Sequence, residues 1–346
     1  MSDLKINNIT DRTGDSGPVI AGVSTVSSGQ FVVPNGPTEY RGGRGRGILG
    51  GSYPANTTLL NKIEIASTGN ATSFGLMGSG HAWSYPSASS TRGIFAGGYH
   101  TPGNGVVTGI DYVKFSSGGG GNDFGDLTTG LKMGAGFSDS TRGIFATGSG
   151  ASPNICTTKI NFITIASTGS ESSFGDALAA RRGAKGLASP TRGVFARGGF
   201  LESPASDATN VLEYVTIQSK GNSVEFGDRT STHQFQGAAA SNTTRGLLAG
   251  GYSGSNSNII DYITIATTGN ASDFGDLTTA RHGGGGMSSA TRAVFGGMWD
   301  GPSPGGADET MDYVTIASTG NATDFGDITA AVYYADGCSD SHGGLG

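Results

Sequence analysis

An arginine followed by a short apolar run and, in most copies, a glycine pair returns through the chain as RGILGG from Arg46, RGIFAGG from Arg92, RGIFATG from Arg142, RGVFARGG from Arg192, RGLLAGG from Arg245 and RAVFGG from Arg292. The spacings are 46, 50, 50, 53 and 47 residues, and a Phe-Gly pair follows every copy, at Phe74, Phe124, Phe174, Phe226, Phe274 and Phe325. Six copies of one short unit exclude most folds at once. A unit of about 50 residues cannot bury its apolar surface alone and must stack on its neighbours.

Within a copy the sequence reads as four strands. In the last, RHGGGGMSS (281–289) is extended and glycine-rich, and a turn at Ala290-Thr291 leads into RAVFGG. A loop of variable length follows, then MDYVTIAST, where Tyr313, Thr315 and Ala317 alternate with Val314, Ile316 and Ser318 at the strand period of two. Gly320-Asn321 turns the chain back into ATDFGDITA and is expected to supply positive φ angles for a tight hairpin. No helical period persists for three turns. Four strands repeated six times predict an all-β fold, a six-bladed β-propeller over residues 44–346. The glycine-rich strand would lie nearest the axis, where six strands crowd, and the Phe of each FGD would pack between blades.

The ends of the chain fit a closed ring. GCSDSHGGLG at the C-terminus aligns with GMSSATRAVF as a first strand with nothing after it, whereas the copy at Arg46 lacks a first strand. Residues 333–341 are therefore expected to supply the innermost strand of the first blade and close the ring. Residues 1–43, with alternating LKINNI and GQFVVP, are expected to form a separate docking or oligomerisation segment, since a lone two-stranded element is marginal in water.

Composition narrows the partners. A net charge of −6 and a pI near 5.3 oppose nucleic-acid binding, which needs a basic field; RGGRGRG at 41–47 is a local exception read as a solvated linker. Cys156 and Cys338 are too few for a disulfide framework or a structural zinc site. No basic-then-apolar leader and no run of about 18 apolar residues is present, so neither a signal peptide nor a membrane span is expected. Asn70, Asn270 and Asn321 sit in Asn-x-Ser/Thr triplets and are read as turn residues.

The apolar run ending in Gly-Gly, followed by an aromatic strand, resembles the kelch repeat over roughly residues 44–346. The FGD phenylalanine stands where many kelch repeats have a tryptophan, and ATG in the third copy departs from the glycine pair. The fuller unit, TRG-apolar-GG followed by DYVTIASTGNATDFGDL, is similar to repeats of structural and tail-associated virion proteins of marine bacteriophages, especially those infecting cyanobacteria. The leader LKINNITDRTGDSGPVIAG is similar to short N-terminal segments of phage fibre-like proteins. These resemblances imply a phage virion structural protein, made in the host cytoplasm. Residues 1–43 would then join it to other virion proteins, with possible homo-oligomerisation, and the propeller would act as a tail or fibre adhesin. Capsid decoration and a carbohydrate-active enzyme are the alternatives.

Catalysis is not expected, and no metal or cofactor. Copper oxidases of kelch type use Tyr, His and Cys, and His81, His233 and His282 fall on or beside inner strands, but none has a partner at metal-ligand spacing. The repeated Arg and the repeated Asp of FGD occur in nearly every copy, whereas a ring has one axis and needs a catalytic group once; the arginines are read as turn-stabilising, by charge-assisted bonds to those carboxylates. GRGILG at 45–50 matches a dinucleotide pattern without the helix that pattern requires. Binding fits better where the copies disagree. The loops between second and third strands vary, and they hold Tyr53, Tyr99, His100, Phe200, Tyr252, Trp299 and Asp300. Aromatic residues on rigidly mounted loops suit glycan or protein recognition, or else simply cover the blade edge.

Overall fold

In the computed structural model, residues 45–52, 58–78, 80, 82–100, 105–151, 155–199, 207–301 and 306–345 are described, all within the unit Arg41–Gly346. The expected docking segment 1–43 lies outside the described residues. Six antiparallel four-stranded sheets follow one another along the chain as the blades of a propeller. Blade six shows the pattern: Gly285–Ser288, Arg292–Gly296, Asp308–Thr315 and Thr323–Val332 run from the axis outward. A two-stranded ribbon, Tyr99–His100 with Gly105–Val106, projects from blade two. The one helical element among the described residues is the 3-10 turn Gly343–Leu345.

The ring closes as the sequence predicts. Asp336–Ser339 pairs with Arg46–Gly50 to complete blade one, with Ile48 opposite Cys338 and Leu49 opposite Gly337. Apolar side chains gather into six clusters, one between each pair of successive blades; Phe124 and Leu127 of blade two, for example, pack with Phe145, Ile163 and Ile165 of blade three. The FGD phenylalanines are interblade residues, each worth about 1.5–3 kcal/mol when fully buried. Phe124, Phe174, Phe226, Phe274 and Phe325 also meet the ring of a third-strand aromatic edge-on, as Phe325 does with Tyr313 at 5.9 Å. Both cysteines are buried, and neither is in a disulfide.

Three repeated contacts stitch blade to blade. At the axis, Ser138, Ser241, Ser288 and Ser339 each donate their hydroxyl to a carbonyl of the preceding inner strand, at 2.8 Å in each case. Glycine is needed there because the strands approach closely: a Cβ on Gly337 would stand 2.9 Å from the Gly286 carbonyl oxygen. On the turn face, Arg46, Arg92, Arg142, Arg192, Arg245 and Arg292 donate to Phe115, Ile165, Ile217, Ile265, Ile316 and Ile65 carbonyls, each in the next blade, so the circuit closes on itself. The expected Arg–Asp bonds are therefore incorrect. A guanidinium extended along the blade seam meets orphan carbonyls at the end of the neighbouring third strand, while FGD carboxylates bind locally, as Asp176 does with Thr158 and Lys159 at 2.9 Å.

At the periphery, the turn between third and fourth strands of each blade, Gly-Asn in four of the six, docks on the Phe-Gly strand of the blade before it. Gly320 N–H donates to Phe274 O at 2.8 Å, Ala322 N–H to Asp276 O at 2.7 Å, and Asp276 N–H to Asn321 Oδ1 at 3.1 Å. The same backbone pair joins Gly69 and Ala71 of blade one to Phe325 and Asp327 of blade six. This corrects the reading of Asn321 as a residue of positive φ: only Gly320 has one, and the asparagine side chain serves as an interblade acceptor. Docking also explains the glycine of FGD, since a Cβ on Gly275 would lie 2.5 Å from Gly320 backbone atoms.

Candidate functional site

The hairpin of first and second strands is prolonged by one residue pair at the axial end opposite the arginines. The pairs are Ala82–Tyr99, Lys132–Ser149, Arg182–Gly199, Phe235–Tyr252 and His282–Trp299. The framework places the same two positions at the mouth of the axis in successive blades, and the residues there differ in every copy. The next position inward is Trp83, Met133, Gly183, Gly283 and Tyr334, all at φ between 58° and 69°. Glycine adopts such angles freely, whereas Trp and Tyr do so at a cost of about 1 kcal/mol or more. Two aromatic rings held in a glycine conformation make the mouth the candidate functional surface.

The rings form a continuous arc. Tyr99 lies 5.6 Å from Trp83, Trp83 4.8 Å from Tyr334, Tyr334 5.7 Å from His282, His282 5.1 Å from both Trp299 and Tyr252, and Tyr252 6.4 Å from Phe235. Tyr333 stacks on Trp299 at 5.6 Å. Phe235, Tyr252, Asn256, His282, Trp299, Asp300, Gly301 and Tyr334 enclose an open cavity of about 390 Å³. His282 is 3% exposed and bridges Asn256 Oδ1 at 2.7 Å and Tyr334 Oη at 3.2 Å. Burial pulls its pKa down to about 4, so the ring is neutral near pH 7; Nδ1 then donates to Asn256 and Nε2 accepts from the tyrosine hydroxyl. On the other side of the axis, Lys132 Nζ sits 4.3 Å from the Tyr99 ring centre and Arg182 Cζ 5.4 Å from that of Phe235.

The far end of the axis is covered differently. After Ser339 the chain turns across it, and His342 Nε2 lies 3.0 Å from Ala88 O and 3.3 Å from Ser138 Oγ.

Of the residues singled out from sequence, Tyr99, Tyr252, Trp299 and Asp300 fall on this one face, the last three around a single cavity. His100 pairs with Gly105 in the projecting ribbon and does not line that cavity. Tyr53, Phe200 and His81 lie outside the described residues. His233 is buried, with its pKa pulled to about 3 by desolvation and by Arg229. Among the described residues no group of three or more His, Cys, Asp or Glu is arranged to hold a metal. Trp83, Lys132, Arg182, Phe235, Tyr333 and Tyr334 were not anticipated, because they sit on connections from one blade to the next that read as glycine-rich strand. The available signal was the interruption of glycine: aligned with Gly183 and Gly283 stand Trp83, Met133 and Tyr334. Compared with protein-family models and with curated proteins, the chain matches none.

Proposed function

We propose that the chain is a bacteriophage virion protein whose kelch-like propeller acts as a host-surface adhesin, taking a saccharide at the aromatic mouth. The observation that carries the binding reading is the ring of positions at one end of the axis, rigidly mounted by a copied framework and different in every blade. Flat apolar rings stack on the C–H faces of sugars, and Asn256 and Asp300 offer hydrogen-bonding groups beside them. The virion setting rests on the resemblance of the repeat unit and the leader to phage structural proteins, with residues 1–43 as the attachment to the particle.

The test is adsorption. Full-length protein labelled with a fluorophore is titrated onto host cells, with Trp299→Ala and Tyr252→Ala beside the unchanged chain. Binding that falls at least tenfold in both variants supports the reading; equal binding by all three removes the mouth as the adhesive site. Gold labelling of intact particles separates the tail location proposed here from capsid decoration, and turnover of host polysaccharide by the unchanged protein would replace the adhesin with an enzyme.

A further inference from the structure

The positions at the mouth are not only aromatic. Where the other blades place Ala82, Phe235, His282 and Tyr333, blades three and four place Lys132 and Arg182. Lys132 is only 9% exposed, and its ammonium faces the rings of Tyr99 at 4.3 Å and Trp83 at 5.7 Å. Arg182 lies over Phe235, with Nη1 3.8 Å from Met133 Sδ. Neither has a carboxylate partner among the described residues. Other cations close to the inner strands do have a carboxylate: Arg181 with Asp207 at 2.5 Å, Lys185 with Asp336 at 2.8 Å, Arg197 with Glu213 at 3.0 Å and the fully buried Arg229 with Asp261 at 2.7 Å, whereas the repeated arginines of the turn face are satisfied by strand-end carbonyls.

The surrounding sequence withholds an internal counter-ion from the lysine. Residues 97–109 and 147–158, the connections of blades two and three that flank Lys132, contain no Asp or Glu. Burial, with Arg182 adding repulsion, holds the lysine pKa below its ordinary value, and burial does the same to the arginine. Two partly buried cations with no acid beside them among the described residues are less favourable in the empty protein than with an anion between them. Two charges cannot hold an extended polyphosphate on a chain of net charge −6, but they suit one acidic group on a ligand whose rings rest on the neighbouring aromatics.

We propose that the saccharide bound at this mouth is anionic, with a carboxylate or sulfate seated between Lys132 and Arg182 and its sugar rings on the arc formed by Trp83, Tyr334 and Trp299. This rests on the saccharide-binding reading above and adds the charge class. Each cation contributes a charge-assisted contact, so loss of either is expected to weaken binding about tenfold or more.

The experiment is calorimetric titration of the full-length protein with a uronic-acid oligosaccharide, with the same oligosaccharide methyl-esterified, and with a sulfated neutral oligosaccharide. The variants are Lys132→Met, Lys132→Arg, Arg182→Met and Trp299→Ala, each checked for an unchanged unfolding transition. The expected result is preference for at least one acidic ligand over the ester by tenfold or more. That preference should be lost in Lys132→Met and Arg182→Met and kept in Lys132→Arg, whereas Trp299→Ala should weaken acid and ester alike. Whichever acidic ligand binds identifies carboxylate or sulfate as the source of the charge. Equal affinity for acid and ester, reduced by Trp299→Ala, overturns the inference and leaves saccharide binding standing. Tight acid binding that survives both methionine variants also overturns it. No binding to any of the three overturns the inference together with the reading beneath it.

Discussion

Replacing Gly275 with alanine isolates the contact that joins one blade to the next. Gly275 has φ of +145°, a conformation that L residues rarely adopt, and an added Cβ would lie 2.5 Å from the carbonyl carbon and oxygen of Gly320. Those are backbone atoms of a docked turn and cannot swing aside as a side-chain end would. Separation to an ordinary van der Waals distance needs nearly 1 Å of movement, enough to lose Gly320 N–H to Phe274 O at 2.8 Å and Ala322 N–H to Asp276 O at 2.7 Å. Two such bonds at roughly 1 kcal/mol each, with about 1–3 kcal/mol of backbone strain, give a loss of about 3–5 kcal/mol. Gly269→Ala is the matched control: its φ is +155° and an added Cβ meets nothing within 4 Å, so only the strain term applies. For a propeller of this size the unfolding entropy makes each kcal/mol worth about 1.5–2 °C, so Gly275→Ala should melt about 5–10 °C lower and Gly269→Ala about 2–6 °C lower. Thermal unfolding followed by circular dichroism reads both. Equal shifts for the two variants would refute the docking argument, because strain alone would then account for everything.

Deleting the last 14 residues removes Asp336–Ser339 and leaves the inner edge of Arg46–Gly50 unpaired; the expected result is loss of a single cooperative transition, and an unchanged melting temperature would contradict ring closure. Arg245→Met removes the bond to Ile316 O at 2.8 Å and the cation over Tyr262 at 4.5 Å while keeping aliphatic bulk, for a loss of about 2 kcal/mol by urea titration. His282 titrates in the folded protein at about 4, below its ordinary 6.5, so the stability contributed by the neutral ring is complete above about pH 6.5 and lost as pH falls towards 4. The loss is about 3 kcal/mol, and His282→Gln should flatten that part of the stability profile.

Blade number and strand order were legible in the sequence because each is written six times, and ring closure because one strand was left over at the C-terminus. The alternation in DYVTIAST fixed which face of a strand is buried, and an unmatched first strand at the C-terminus had one place to go. Contacts between copies were harder to read. Arginine has two chemically reasonable acceptors, the FGD carboxylate and a strand-end carbonyl, and only the offset of adjacent blades decides between them. Asn321 likewise looked like a local turn residue because the acceptor it provides serves Asp276, 45 positions away. The mouth was half legible: Tyr252, Trp299 and Asp300 lie in or beside segments whose sequence visibly varies, whereas Trp83, Lys132 and Tyr334 occupy positions that come together only when the blades are brought around one axis. Repetition made the framework easy to recognise and disguised those exceptions as imperfect copies.

The most direct test of the account is a comparison of the two ends of the axis in one host-cell adsorption assay with full-length protein. One variant alters the mouth by Trp83→Ala with Trp299→Ala; the other alters the opposite face by Thr91→Ala with Thr291→Ala, beside the arginines. The account predicts that adsorption is lost in the first and unchanged in the second, with both variants folded. Adsorption that survives the first variant and fails in the second would contradict the claim that function lies where the copies differ.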